Sequence, residues 1–193
     1  MKMNLIKIVR TNLGFIAGLT ILELLFISID AKTFALKPGL YSPHEDTPAN
    51  NIAIETTSLN LTFKSVDGKI INLTEQKGKV VFINFWATWC SPCRAEMPSI
   101  NSLYEKVRKE DKVVFLMVDA DNKLAAANKF MKRRSFQLPV FGAVSAIPEQ
   151  IFSGALPTTL IIDPNGKIVF QHSGMADYDR PEVLNFINAM LID

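Results

Sequence analysis

The chain has 193 residues, 48% hydrophobic and 21% charged, with 21 Lys and Arg against 19 Asp and Glu. That composition fits one ordinary globular domain plus a short additional segment, and excludes disordered, collagen-like and coiled-coil chains. A net charge of +2, with acidic and basic residues interspersed, leaves no cationic stripe for nucleic acid.

Residues 1–30 open on Lys2, Lys7 and Arg10 and run into an apolar stretch from Leu13 to Ile29, interrupted by Glu23. The stretch exceeds a secretory core of roughly 7 to 15 residues and just reaches the roughly 17 to 25 of a spanning helix. A signal peptide and an N-terminal membrane anchor are therefore both expected alternatives. Thr33 and Ala35 offer a cleavage site, whereas Glu23 would cost a permanent span about 2 to 3 kcal/mol. Under either alternative the basic flank stays in the cytoplasm, and the remaining chain is expected to be extracytoplasmic, on the periplasmic side. Residues 31–58, rich in Pro, Asn and Thr, read as a spacer between membrane and domain.

Residues 59–193 carry the domain. Leu59 to Phe63 and Lys69 to Leu73 flank Asp67-Gly68, which predicts a β-hairpin. Val80 to Phe85 is a continuous apolar run, as in a strand buried on both faces. Met97, Ile100, Leu103, Tyr104 and Val107 recur at helical spacing, and Val113 to Val118 follows as a second buried strand, giving a strand–helix–parallel strand unit. A helix is expected over Asn122 to Arg134, with Leu124, Ala127 and Met131 inward, then a short strand over Leu138 to Phe141 and a helical turn over Ile147 to Phe152. Thr158 to Asp163, the turn Pro164-Asn165-Gly166 and Lys167 to His172 form a second hairpin, and a helix from Arg180 to Leu191 closes the chain. These elements predict an α/β fold, a mixed central sheet with helices on both faces.

The only cysteines, Cys90 and Cys93, lie between a buried strand and the helix that follows it. Cys90 then faces the unpaired N–H groups of a helix start, which together with the C-x-x-C context lowers a thiol pKa from about 8.5 into roughly the 3.5 to 7.5 range. Cys93 shares its helix face one turn deeper. This spacing suits attack on a partner disulfide by Cys90 and release of the reduced partner by Cys93. Pro92 is tolerated after Ser91 because its missing N–H has no partner at a helix start. A static disulfide closing so short a loop removes little chain entropy. A zinc site would need two more ligands, and the only histidines are His44 and His172.

The stretch Asn84-Phe85-Trp86-Ala87-Thr88-Trp89-Cys90-Ser91-Pro92-Cys93-Arg94-Ala95-Glu96-Met97-Pro98, with Gly154-Ala155-Leu156-Pro157-Thr158-Thr159, resembles the thioredoxin superfamily in its extracytoplasmic TlpA/ResA-type branch. The resemblance implies a thioredoxin-like fold with an N-terminal β-hairpin and a central insertion near Gln137 to Ile151. It implies a reducing thiol-disulfide oxidoreductase fed by a membrane thiol donor, acting on protein disulfides, with apocytochrome c a common substrate. No cofactor or metal is expected, because the redox-active disulfide itself carries the electrons.

The same resemblance implies a cis Leu156-Pro157 bond facing the cysteines, leaving the Leu156 backbone to bind an extended substrate segment as an added strand. Thioredoxin carries a buried Asp where this chain has Asn84, which cannot titrate. The branch instead places a Glu at the position of Glu96, where burial would raise its pKa and let it take the Cys93 proton. A solvated Glu96 favoured by the helix dipole is the alternative. Trp89 is expected to form an apolar rim for a partner and Trp86 to pack in the core. Pro98 is expected to kink the helix, Arg94 to be solvated, and Asp119 and Asp121 to cap the next helix.

Two other functions use the same sulfurs. A Cu(I) chaperone would hold metal between them. A thiol peroxidase would turn Cys90 on peroxide, although peroxiredoxins carry Thr or Ser three residues earlier, where this chain has Ala87.

Overall fold

The computed structural model describes residues 60–191. The expected membrane segment and spacer lie outside the described residues, among which no helix is long and apolar enough to cross a membrane.

Strands β1 (Thr62–Ser65) and β2 (Ile70–Asn72) pair antiparallel around the Asp67-Gly68 turn. Gly68 sits there at φ +91°, a left-handed conformation that side chains other than Gly rarely adopt. Asn72 then accepts the Thr74 N–H at 3.0 Å and starts a 3-10 helix over Leu73–Gln76. The remaining elements are β3 (Val80–Trp86), α1 (Ser91–Val107), β4 (Val113–Asp119), α2 (Leu124–Arg133), β5 (Val140–Ala143), β6 (Thr158–Ile162), β7 (Ile168–Ser173) and α3 (Pro181–Ala189).

The sheet has the order β2-β1-β5-β4-β3-β6-β7. Strands β3, β4 and β5 are mutually parallel, and the other pairings are antiparallel. Every residue of β3 is buried, as its unbroken apolar run requires of a central strand. Two successive crossovers, β3-α1-β4 and β4-α2-β5, step in the same direction. Right-handedness therefore puts α1 and α2 on one face.

That face holds Phe82, Trp86, Met97, Ile100, Met117, Ala127 and Met131, and α3 joins it through Val183 and Ile187. Phe82 stacks on Phe115 at 4.6 Å and meets Tyr178 edge-on at 5.4 Å. The alternate residues of the same strands, Val81, Ile83, Phe85, Leu116, Val118 and Leu160, face a second cluster. Leu73 of the 3-10 helix covers it, with Ile151 and Phe152 of a turn at Pro148, and Phe152 stacks on Phe85 at 4.4 Å. The mixed sheet is thus flanked on both sides, by α-helices on one and by the 3-10 helix and turn on the other.

Four boundaries differ from the sequence expectation, and the first is β1, which lies later than Leu59 to Phe63 because its register is fixed by pairing with β2 (Phe63↔Ile71) and β5 (Lys64↔Gly142). Helix α2 starts at Leu124, because Asn122 adopts φ 58° and its side-chain amide donates to the Ala143 carbonyl at 2.9 Å. Strand β5 lies two residues later than expected, its register fixed by pairing with β1 (Phe63↔Ala143) and β4 (Met117↔Val140). The central insertion near residues 137–151 is thereby the piece that joins the N-terminal hairpin to the rest of the sheet. Helix α3 is shorter at both ends, with Arg180 as its N-cap.

Gly142 of β5 touches the Asn122 loop so closely that an added Cβ would fall 1.8 Å from Asn122 Oδ1. Gly142→Ala is expected to push Asn122 off the Ala143 carbonyl and lower stability by about 1 kcal/mol, read as a lower denaturation midpoint.

Candidate active site

Strand β3 delivers the chain at Trp86 to a short loop in which Cys90 N–H donates to the Ala87 carbonyl at 3.1 Å. Cys90 is the N-cap of α1: its Sγ accepts the Cys93 N–H at 3.2 Å and its carbonyl accepts the Arg94 N–H at 3.1 Å. Ser91 and Pro92 form the exposed first turn, where proline's fixed φ fits and its missing N–H is no loss. Cys90 and Cys93 are disulfide-bonded with Cα atoms 5.3 Å apart, so the structure is the oxidised form. Cys90 is 4% exposed and Cys93 0%, which makes Cys90 the sulfur open to a partner. When the bond is reduced, the same N–H and the helix start favour a thiolate at Cys90.

Beneath the sulfurs lies a buried polar cluster. Glu96 occupies the α1 face of Cys93 one turn further on and is 2% exposed. Its Oε1 accepts from Asn84 Nδ2 at 2.8 Å and its Oε2 from the Ala176 N–H at 3.1 Å. Burial raises its pKa from 4.5 to about 7, against the opposing pull of the Ala176 and Asn84 hydrogen bonds. Asn84 is fully buried in the centre of β3, and its amide also donates to Thr159 Oγ1 at 2.9 Å, across the β3–β6 pairing that sets the two residues opposite each other. Asn84 Oδ1 accepts no hydrogen bond.

The Leu156-Pro157 bond is cis and opens β6 beside the end of β3. Pro157 is buried and Leu156 half-buried against both clusters. The Pro157 carbonyl accepts the Gly174 N–H at 2.8 Å. The segment that follows, residues 174–179, is stitched along α1: Ala176 to Glu96, the Tyr178 N–H to Ser99 Oγ at 3.1 Å, and Asp179 to Ser102 at 2.6 Å and to Lys106. This strap ties the proline segment to the cysteine helix. It was not legible in the sequence beyond polar residues spaced one turn apart on α1.

Trp86 is fully buried, against Phe130 at 5.5 Å. Trp89 is 65% exposed beside Cys90, its indole N–H donating to Asp121 Oδ2 at 2.9 Å. Asp121, expected to cap α2, thus orients the tryptophan, while buried Asp119 accepts the Lys123 N–H at the start of α2. Desolvation raises the Asp119 pKa. Helix α1 runs unbroken through Pro98, and Arg94 is exposed. Among the described residues no group of three or more His, Cys, Asp or Glu is gathered to hold a metal ion.

Residues 48–187 match the Redoxin family. The thiol-disulfide oxidoreductase ResA of Bacillus cereus is 37% identical over 147 residues, covering 76% of this chain and 82% of its own, and that of Bacillus anthracis is 36% identical over 154 residues, covering 78% and 84%. Among solved structures, an exposed lipoprotein thioredoxin of Streptococcus pneumoniae superposes with a TM-score of 0.54 at 29% identity, over 66% of this chain and 97% of that one. A thiol:disulfide interchange protein of Chlorobium tepidum gives 0.52 at 26%, over 67% and 92%. With the Cys90–Cys93 disulfide at the start of α1 and these likenesses in sequence and fold, the chain belongs to the Redoxin family as a ResA/TlpA-type thiol-disulfide oxidoreductase of the thioredoxin superfamily.

Proposed function

We propose that this enzyme reduces disulfides of other proteins on the extracytoplasmic side of a membrane, to which residues 1–30 direct it. Reduced Cys90 attacks one sulfur of the partner's disulfide, the second partner sulfur leaves as a thiolate and takes a proton, and a mixed disulfide forms. Glu96 then accepts the Cys93 proton, and the Cys93 thiolate attacks Cys90 Sγ. This expels the partner's remaining thiolate and leaves the Cys90–Cys93 disulfide of the present structure. Two electrons have passed to the partner, and a dithiol donor at the membrane returns them. Apocytochrome c, with two cysteines in an unfolded chain, has the chemistry of such a partner.

The observation that carries the reading is the Cys90–Cys93 disulfide at the start of α1, with Cys93 fully buried and the buried Glu96 three residues further along the same helix face. A carboxyl with a pKa near 7 is matched to removing a thiol proton at neutral pH, the one step an inaccessible second cysteine cannot delegate to water. Trp89 and the Leu156-Pro157 segment suit the partner's extended chain, the first as an apolar surface and the second as a strand edge.

Equilibration of the Cys90–Cys93 pair with glutathione tests the direction. A potential near the reducing end of the known range, about −270 mV, is expected. A value near about −120 mV would make the protein an oxidant and overturn the reductase reading.

A further inference from the structure

The geometry points to a second contact for the partner: a cleft beside Cys90 in which Arg94 and Arg134 clamp an acidic protein segment flanking the disulfide to be reduced. It rests on the reading that the partners are proteins, and it adds which proteins the site prefers.

The cleft has a volume of about 260 Å³ and runs between the first two turns of α1 and the end of α2. Its α1 wall is Ser91, Arg94, Ala95 and Pro98, four positions of one helical stripe. The short side chains at three of them leave the floor open, and Ser91 adjoins Cys90, so an occupant lies within a residue of the reactive sulfur. The facing wall is Phe130 and Phe136, both half-buried. Phe130 also packs on buried Trp86, which fixes the wall to the core. The Arg134 guanidinium lies over the Phe130 ring, 5.9 Å from its centre, which holds its charge at the rim.

No acid lines this cleft, and among the described residues neither Arg94 nor Arg134 belongs to an ion pair, whereas Lys106, Arg108, Lys123 and Arg180 each do. Lys129, Lys132 and Arg133 line a separate pocket with Ala125 and Asn128, so the charge at this cleft is that of Arg94 and Arg134. The field over the cleft is therefore positive on a chain whose net charge is only +2. Two guanidinium forks suit carboxylates, and the phenyl wall suits an apolar side chain between them. An extended segment carrying Asp or Glu and one large apolar residue near its cysteine meets both demands, in a place where its disulfide reaches Cys90.

Two disulfide-bridged peptides of equal length test this, one flanked by Glu and one by Lys, each reduced by the full-length dithiol protein. For every variant, both rates are divided by that variant's own rate with 2-hydroxyethyl disulfide, a small uncharged linear disulfide, which removes any change in sulfur reactivity. At low salt the Glu peptide is expected to react about tenfold faster than the Lys peptide, falling to about twofold in 0.5 M salt. Arg134→Gln, on the helix that does not carry the sulfurs, should reduce the preference about threefold, and Arg94→Gln/Arg134→Gln should abolish it. Equal rates for the two peptides, or a preference that survives the double substitution, would overturn the cleft. Reaction with the small disulfide but with neither peptide is a separate result: it removes the protein-substrate reading and this inference together.

Discussion

Cys90→Ser is expected to reduce disulfide exchange to the uncatalysed background, a loss on the order of 10³-fold or more, while Cys93→Ser should stop the enzyme halfway. The asymmetry follows from the geometry of the two sulfurs. Cys90 caps α1, receives the Cys93 N–H at 3.2 Å, and is the partly accessible member of the pair, whereas Cys93 is sealed. A serine hydroxyl at position 90 is scarcely ionised at neutral pH and forms no bond to a partner's sulfur, so the first step is lost entirely. With Cys93→Ser the thiolate at Cys90 still attacks, but nothing inside the protein displaces the partner. A covalent one-to-one adduct should accumulate and be visible by non-reducing electrophoresis. Adduct formation through Cys93 in the Cys90→Ser protein would reverse the assigned roles.

The parts of the fold legible in the sequence are those whose cause is local. An Asp67-Gly68 turn, the unbroken apolar run of β3 and the three- and four-residue spacing of Met97, Ile100, Leu103 and Val107 each report their own environment. Features decided by distant contacts were not legible. The α2 start depends on the Asn122 side chain reaching Ala143, and the β5 register depends on strands on either side of it. The site divides the same way. A C-x-x-C pair at a strand–helix junction stands out from spacing alone, but Asn84 read only as a residue that cannot titrate. Its place in the site depends on Glu96, 12 residues away, and Thr159, 75 away, which only the folded sheet brings to one amide. The link from Trp89 to Asp121 crosses 32 residues and has no periodic signature.

Glu96→Gln separates a proton acceptor from a merely buried carboxyl, because the two roles leave different traces with pH. Glu96 keeps its proton to about pH 7 in the folded protein, against an ordinary value of 4.5, so between those values the folded state binds more protons than the unfolded one. Its contribution to stability is then fully present below pH 4.5 and is lost as pH rises through 7. At about 1.4 kcal/mol per pH unit the difference comes to about 3 kcal/mol. Denaturant titrations of the oxidised protein should therefore show the Gln variant gaining about that much relative to wild type between pH 4 and pH 8. The substitution can be accommodated, since the unpartnered Asn84 Oδ1 can turn to accept from the introduced amide while Ala176 keeps an oxygen to donate to. Release of the mixed disulfide by Cys93 should meanwhile slow by about 10²-fold at pH 8 and lose its rise through pH 7. Stability curves that run parallel would deny Glu96 its raised pKa, and an unchanged release profile would remove it from the proton path.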